Sequence, residues 1–256
     1  MKKTILILIS LCIILSISYS VFLYFGSWKD FKKISSYDEV AHILEAIDDN
    51  TLVLFDIDDT LIVSQSKLFW VKLVERVALG IKKVTPETLK EKLKPYFDQY
   101  ENWFMAKLKS KENPIVIEPH IPAIIKSLQD RGIRVMALTS LHTGSYHNIT
   151  SLPEWRYQKL KNLGIDFSNA DIPDTEFTEL PKKNGHYPQL YHGMLLTNFV
   201  SKGTVLGAFL DLMRWRPSQV IYFDNHKWQI SSVAKEMHKR TIPFRGYEYN
   251  GRNHGK

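Results

Sequence analysis

Residues 52–60 read Leu-Val-Leu-Phe-Asp-Ile-Asp-Asp-Thr, and Leu61, Ile62 and Val63 follow directly. Four consecutive apolar residues that end abruptly in acids fit a short strand buried on both faces, the situation of strands inside a parallel sheet. Open parallel sheets bind ligands just beyond the carboxyl ends of their strands. Asp56, Asp58 and Asp59 therefore leave the core where a site would lie. In extended backbone, alternate side chains share a face, so Asp56 and Asp58 are expected to point the same way, with Thr60 beside them. Two like charges held that close repel by about 1 kcal/mol or more unless a cation separates them. A hard divalent ion resolves the conflict, and Mg2+ typically takes one or two carboxylates together with phosphate oxygens of a substrate.

A chain of 256 residues can bury a substantial core, and one domain with an insertion is the natural expectation. Its start, Met1-Lys2-Lys3, precedes an almost uninterrupted apolar stretch from Ile5 to Phe25. That pattern has the basic and apolar regions of a secretory signal. It also has the roughly 20 residues needed to span a bilayer. Residues 1–27 are thus expected to be a signal peptide or membrane anchor, which implies export across the inner membrane to a periplasmic, secreted or membrane-anchored position. The single cysteine, Cys12, lies inside this stretch, so disulfides and thiolate metal sites are excluded for the folded part.

Residues 28–37 read as a polar linker, and Tyr37 to Ile47 as an amphipathic helix with Val40, Ile43, Leu44 and Ile47 at helical spacing. After the opening strand, the chain carries helical patterns without strand alternation until about residue 118. Residues 64–118 are therefore expected to form a helical insertion above the sheet. Its aromatic residues, among them Phe69, Trp70 and Trp103, read as packing. A helix from Ile121 to Gln129 leads to a second buried strand, Ile133 to Leu138, which ends in Thr139-Ser140. Helix followed by strand is the pattern of a right-handed parallel crossover. A basic helix is expected over 154–163, stopped at Gly164. The proline-rich segment 171–192 reads as loop or irregular hairpin. Met194 to Thr197 is a short strand candidate, and Ser201-Lys202-Gly203 opens a helix that runs to Met213. Val220 to Phe223 is the last clear strand, ending in Asp224-Asn225, and the polar tail from Tyr247 is expected to fray.

Three apolar strands thus terminate in Asp56/Asp58, Thr139/Ser140 and Asp224/Asn225, with Lys202 at a helix start between the last two. In this order the residues resemble the four motifs of the haloacid dehalogenase-like (HAD) superfamily, whose members are mostly phosphohydrolases. Asp56-Ile57-Asp58-Asp59-Thr60 matches the first motif, Asp-x-Asp-x-Thr, while Thr139, Lys202 and Asp224 match the second, third and fourth. The resemblance covers residues 37–245 or so and extends in overall layout to exported bacterial HAD-like proteins. It implies a Rossmann-like α/β fold, a parallel sheet flanked by helices. The core would comprise residues 28–63 and 119–256, with residues 64–118 as a helical cap.

The resemblance also implies a division of labour. Asp56 would attack phosphorus and become an aspartyl-phosphate, and Asp58 would protonate the leaving oxygen and then activate water. Thr139, Ser140 and Lys202 would hold the phosphoryl oxygens. Mg2+ would be held by the Asp56 carboxylate, the Asp58 backbone carbonyl and Asp224. Many members carry two acids in the fourth motif, whereas here Asp224 is followed by Asn225, His226 and Lys227. That departure leaves open a catalytically weak or inactive exported binding protein, beside the leading expectation of a phosphomonoesterase and the related phosphotransferase. His142, His147 and His226 lie near strand ends and read as structural or solvated. The net charge of +7 suits an anionic partner such as a small phosphorylated substrate. The Lys and Arg residues are scattered, and no nucleic-acid groove is expected.

Overall fold

The computed structural model describes residues 31–64, 113–145, 149–168 and 172–251. The expected signal or anchor at 1–27, nearly all of the expected insertion at 64–118, and His147 lie outside the described residues. Among those described, no helix is long and apolar enough to cross a membrane.

The chain begins with β1 (Phe31–Ile34) and a 3-10 turn at Tyr37–Val40 that passes into α1 (Ala41–Glu45), then β2 (Thr51–Phe55) and β3 (Ile62–Ser64). It resumes with β4 (Pro114–Val116), α2 (Ile121–Asp130), β5 (Arg134–Thr139) and α3 (Leu152–Lys161). Next come β6 (Thr175–Glu176), β7 (Gln189–Tyr191), β8 (Met194–Leu196) and α4 (Lys202–Leu212). The last elements are β9 (Gln219–Asp224), α5 (Lys227–Lys239) and β10 (Phe244–Tyr249). Eight strands form one sheet in the order β1-β10-β9-β2-β5-β8-β7-β6. Every pairing from β1 through to β8 is parallel, and β7 and β6 continue antiparallel. This is an α/β protein with a mostly parallel central sheet flanked by helices.

All five residues of β2 are buried, as the apolar run requires. Its alternation divides the core in two. Leu52 and Leu54 join Met136, Leu138, Val220 and Tyr222 against α4 and α5, through Val205, Phe209, Val233 and Met237. Val53 and Phe55 join Val135, Ala137, Ile221 and Phe223 on the other face, against Tyr37, Leu44, Ile125 and Leu160. Each fully buried Leu, Val or Phe side chain contributes about 1.5–3 kcal/mol relative to exposure. β2 is thus firmly held by packing on both faces, and Asp56 directly follows its last residue.

Three elements differ from the sequence-based expectation. The supposed linker contains β1, whose residues pair in register with β10 from Phe31↔Gly246 to Ile34↔Tyr249. The first residues of the tail expected to fray, Tyr247 to Tyr249, belong to β10, set between β1 and β9. Its Tyr247 and Tyr249 are buried, Tyr247 stacks on Phe223 at 5.0 Å, and Tyr249 Oη donates to Glu118 Oε1 at 2.7 Å. The helix expected from Tyr37 to Ile47 is a 3-10 turn and a short α-helix. The turn is set by a capping box in which Ser36 Oγ accepts from the Asp38 amide and Glu39 returns to the Ser36 amide. In the segment 171–192, β6 and β7 form an antiparallel pair, within the expected description of an irregular hairpin.

β3 and β4 form a separate antiparallel pair, with Ile62 opposite Val116 and Ser64 opposite Pro114. The two ends of the intervening segment therefore leave the core side by side, next to the carboxyl end of β2.

Candidate active site

The parallel register places the carboxyl ends of β9, β2 and β5 in a row. Phe55 pairs with both Phe223 and Ala137, and the Asp56 amide donates to the Phe223 carbonyl at 2.8 Å. Asp56 and Asp224 thus emerge from adjacent strands at nearly the same level. Thr139 ends the neighbouring β5 and is buried. Lys202 is the first residue of α4, which packs under the face of the sheet that carries Leu54 and Tyr222.

From there the Lys202 side chain reaches the strand ends. Its Nζ lies 2.6 Å from Asp56 Oδ1, 2.7 Å from Asp224 Oδ2 and 2.8 Å from Tyr222 Oη. Tyr222 Oη in turn donates a very short hydrogen bond to Asp224 Oδ2. Lys202, Asp224 and Tyr222 are buried, and Asp56 retains only 7% exposure. Charges so far from water persist only when paired and hydrogen-bonded.

Negative charge is in surplus at this end of the sheet, and the ionisation of the groups reflects it. Burial first, reinforced by Asp224 and Asp58, pushes the Asp56 carboxyl up to about 7 against the opposing pull of Lys202. Burial acts to lower the Lys202 ammonium, but Asp56 and Asp224 together outweigh it and hold the group above its ordinary value. The Tyr222 phenol is driven well up by burial and by the same two acids, so it stays a neutral donor.

Thr60 joins the site by a different route from the extended alternation expected. The strand ends at Phe55, and the chain turns so that the Leu61 and Ile62 amides donate to the Ile57 carbonyl at 2.9 and 3.1 Å. Asp59 takes the left-handed conformation in this turn, with φ 61°. Thr60 Oγ1 then makes a long 3.4 Å contact with Asp56 Oδ2 and accepts from the Asn225 amide at 3.1 Å, tying the exits of β2 and β9 together.

Asp58 is not shut in with Asp56. Its side chain is 48% exposed and is met by Arg156, whose guanidinium lies 3.0 Å from Asp58 Oδ1. Arg156 is itself only 1% exposed and is the largest fully buried side chain among the described residues. Ser140 Oγ accepts from Gln229 Nε2 of α5 at 2.9 Å, an engagement that ties strand to helix. His226 is the N-cap residue of α5, and its amide donates to Asp224 Oδ1 at 2.7 Å. His142 Nδ1 lies 3.0 Å from Asn198 Oδ1.

Arg156 and Tyr222 are site residues that the sequence reading passed over. Both left a signal. Arg156 occupies the spacing of Leu152 and Leu160 on the buried stripe of α3, a cation at a core position. Tyr222 stands two residues before Asp224 on one strand face, where a polar tip can reach the strand end.

A cation at this site would find oxygen ligands beside the Lys202 ammonium held between the two carboxylates. Among the described residues, no group of three or more His, Cys, Asp and Glu side chains is arranged to hold a metal ion. Asn225 Oδ1, however, is buried and without a hydrogen-bond partner, directly beside Asp224. Lys202 engages one oxygen of each carboxylate, leaving Asp56 Oδ2 and Asp224 Oδ1 with a long hydroxyl contact and a backbone amide. Two carboxylates and an amide oxygen fit a hard cation that needs only one or two acids, as Mg2+ does.

The arrangement defines an α/β protein with a buried acid–lysine–acid centre at its strand ends. The chain belongs to the family described as protein of unknown function DUF2608, which matches residues 33–255. It is similar to an uncharacterized protein of Rickettsia prowazekii (strain Madrid E), with 24% identity over 83% of this chain and 74% of the relative. It is also similar to a Chlamydia trachomatis serovar D protein named "Putative outer membrane protein", with 25% identity over 84% of this chain and 75% of the relative. A Rickettsia felis protein, uncharacterized, is 29% identical over 53% of this chain and 48% of its own length.

Proposed function

We propose that the chain is a HAD-like phosphomonoesterase that hydrolyses a small phosphorylated substrate through an aspartyl-phosphate on Asp56. The observation that carries this reading is the Lys202 ammonium, within 2.6 and 2.7 Å of Asp56 and Asp224 at adjacent strand ends. The Asp-x-Asp-x-Thr pattern at 56–60 and Thr139 on the next strand support it.

In the first step Asp56 forms a bond to phosphorus as the ester oxygen leaves, and Asp58 gives that oxygen its proton. In the second, Asp58 takes a proton from water, the water oxygen bonds to phosphorus, and the Asp56–phosphorus bond breaks. Splitting one displacement in this way replaces a hard step by two easier ones. Asp58 suits the proton-transfer role, since its side chain is half exposed and can exchange protons with water while Asp56 is enclosed. Lys202 and the Thr139 hydroxyl would supply the positive charge and the donor that the transferring phosphoryl oxygens need. Arg156 fixes the position of Asp58. Asp56, Asp224, Asn225 and the Asp58 carbonyl would hold Mg2+, which supplies charge neutralisation for the phosphoryl group.

The test is turnover of a small aryl phosphate by purified protein lacking residues 1–27, with and without Mg2+. Turnover that disappears in Asp56→Asn supports the reading. No turnover, or turnover that survives the substitution, rejects it in favour of a non-catalytic binding protein.

We infer further that the domain works outside the cytoplasm. The basic and apolar start of the sequence supports this, as does the name carried by the chlamydial relative. Digestion of the domain by protease added to intact spheroplasts is the expected result, and full protection would contradict export.

A further inference from the structure

Between β8 and α4, the segment that delivers Lys202 takes a costly path. Asn198 and Phe199 both adopt left-handed backbone, with φ 47° and 60°. Two successive non-glycine residues in this region persist only where their surroundings fix them, and such strain gathers at functional sites. Asn198 is fixed on all sides. Its Nδ2 donates to the Lys183 and His186 carbonyls at 2.9 and 2.8 Å, its Oδ1 meets His142 Nδ1 at 3.0 Å, and its amide donates to the Leu141 carbonyl at 3.1 Å.

The consequence is the placement of Phe199, whose side chain is turned outward and left 52% exposed. Isolated exposed aromatics are ordinary, but this one is built into position. Its ring lies 4.4 Å from that of His142, at an interplanar angle of 52°. The Lys183 ammonium stands 5.9 Å from the Phe199 ring and donates to the Phe199 carbonyl at 2.6 Å. Phe199 precedes Lys202 by three positions, and His142 follows Thr139 by three. The Thr197 and Asn198 amides donate to the Thr139 and Leu141 carbonyls at 2.9 and 3.1 Å, so the exposed Phe199 ring, with a cation at its side, lies beyond the carboxyl ends of β8 and β5.

We propose that the exposed Phe199 ring, braced by the tilted His142 ring, forms a stacking platform for a planar ring on the leaving group. The substrate class is then an aryl or nucleoside phosphate monoester, with the phosphate toward Lys202 and the ring on Phe199. A π-face recognises any base or aryl ring without reading its edge, so the platform selects for flatness over identity. This assignment rests on the phosphomonoesterase reading.

The experiment compares kcat/KM for adenosine 5′-monophosphate and glycerol 3-phosphate in the wild type, Phe199→Ala and Phe199→Trp, after thermal melts show that each variant folds. The ratio of the two kcat/KM values is expected to fall about tenfold or more in Phe199→Ala, mainly through KM, and to recover in Phe199→Trp. An unchanged ratio overturns the platform. If neither ester turns over, the phosphomonoesterase reading is decided by the aryl phosphate, and the platform by saturation-transfer NMR with adenosine, which carries no phosphate. Signal that is present in the wild type and lost in Phe199→Ala supports the platform, whereas signal that is absent or unaltered overturns it.

Discussion

The guanidinium of Arg156, buried on α3, lies 3.0 Å from the half-exposed carboxylate of Asp58, a partner 98 residues earlier in the chain. The burial is on the arginine side alone, so Asp58 can turn to water if the pair is broken. Replacing Arg156 by Met, which fits an apolar stripe, is therefore expected to change stability by no more than about 1 kcal/mol in either direction. Turnover of a phosphate ester should nevertheless fall about 10–100-fold, because Asp58 loses its fixed position. Chemical denaturation together with kcat decides between the two roles. A loss of several kcal/mol in stability would make Arg156 a structural residue instead.

Lys202 presents the opposite case, since its partners have nowhere to go. Lys202→Met leaves Asp56 and Asp224 buried beside each other, and breaking a buried pair in this way costs about 3–5 kcal/mol. The midpoint of urea unfolding should drop accordingly, and turnover should vanish.

Asp56→Asn should act in the other direction on stability. The folded protein holds the Asp56 carboxyl at about 7, above its ordinary value of 3.8. The folded state therefore binds the proton more tightly, and ionisation of Asp56 withdraws stability as pH rises from about 4 to about 7. The asparagine variant does not experience that loss. In chelator-treated protein its melting temperature should exceed the wild type's at pH 8, and the difference should close towards pH 4. A variant that is less stable at pH 8 would contradict the surplus of negative charge.

A second pair gives a pH signature with two edges. Tyr191 Oη donates to Glu154 Oε2 at 2.7 Å, joining β7 to α3. The hydrogen bonds from Tyr191 and Gln158 hold the Glu154 carboxyl below its usual range, so this stability is present above about 4.5 and lost as pH falls further. Burial, with Glu154 second, pushes the Tyr191 phenol up to about 12, so its share is present below about 10 and lost as pH rises towards that value. Tyr191→Phe should be less stable than the wild type by about 1 kcal/mol between these limits, and by less beyond either. Melting curves at pH 3, 7 and 11 test both edges.

Two glycines of α4 separate backbone from side-chain crowding. A Cβ at Gly203 would lie 2.2 Å from the Ser232 carbonyl oxygen of α5, whereas one at Gly207 would meet the Glu236 and Arg240 side-chain tips. Gly203→Ala should cost about 1–3 kcal/mol and reduce turnover, because the helix start that carries Lys202 must shift. Gly207→Ala should be neutral or mildly stabilising, since flexible tips move aside and alanine favours helix by about 1 kcal/mol. Equal effects at the two positions would show that the backbones do not touch.

The parts of this protein that were readable in advance are those whose conformation is decided locally. β2, β5 and β9 carry continuous apolar runs that stop at polar residues, and the structure brings Asp56 and Asp224 from two of these ends onto Lys202, the first residue of α4. β1 and β10 were missed because Phe-Lys-Lys-Ile and Phe-Arg-Gly-Tyr-Glu-Tyr have no such pattern. Their strand character comes from pairing with each other and from aromatic packing on Phe223, which are distant in sequence. The geometry of Thr60 was misread for the reverse reason. Period-two alternation holds only while the backbone is extended, and Asp59 ends the extension with one left-handed residue. Arg156 and Tyr222 carried signals that are interpretable only when the partner is known.

Glu118 accepts from Ser36 Oγ, the Tyr37 amide and Tyr249 Oη just after β4, where the chain has returned from the segment that β3 releases. Departure and return are thus anchored independently of whatever lies between them, one by β2 and the other by this buried carboxylate. The β3–β4 pair and Glu118 together form a fixed junction at which the chain leaves the core and re-enters it. Because Ser64 and Pro114 pair directly, the length of chain between them enters the cost of this junction only as the slowly growing entropy of closing a longer loop.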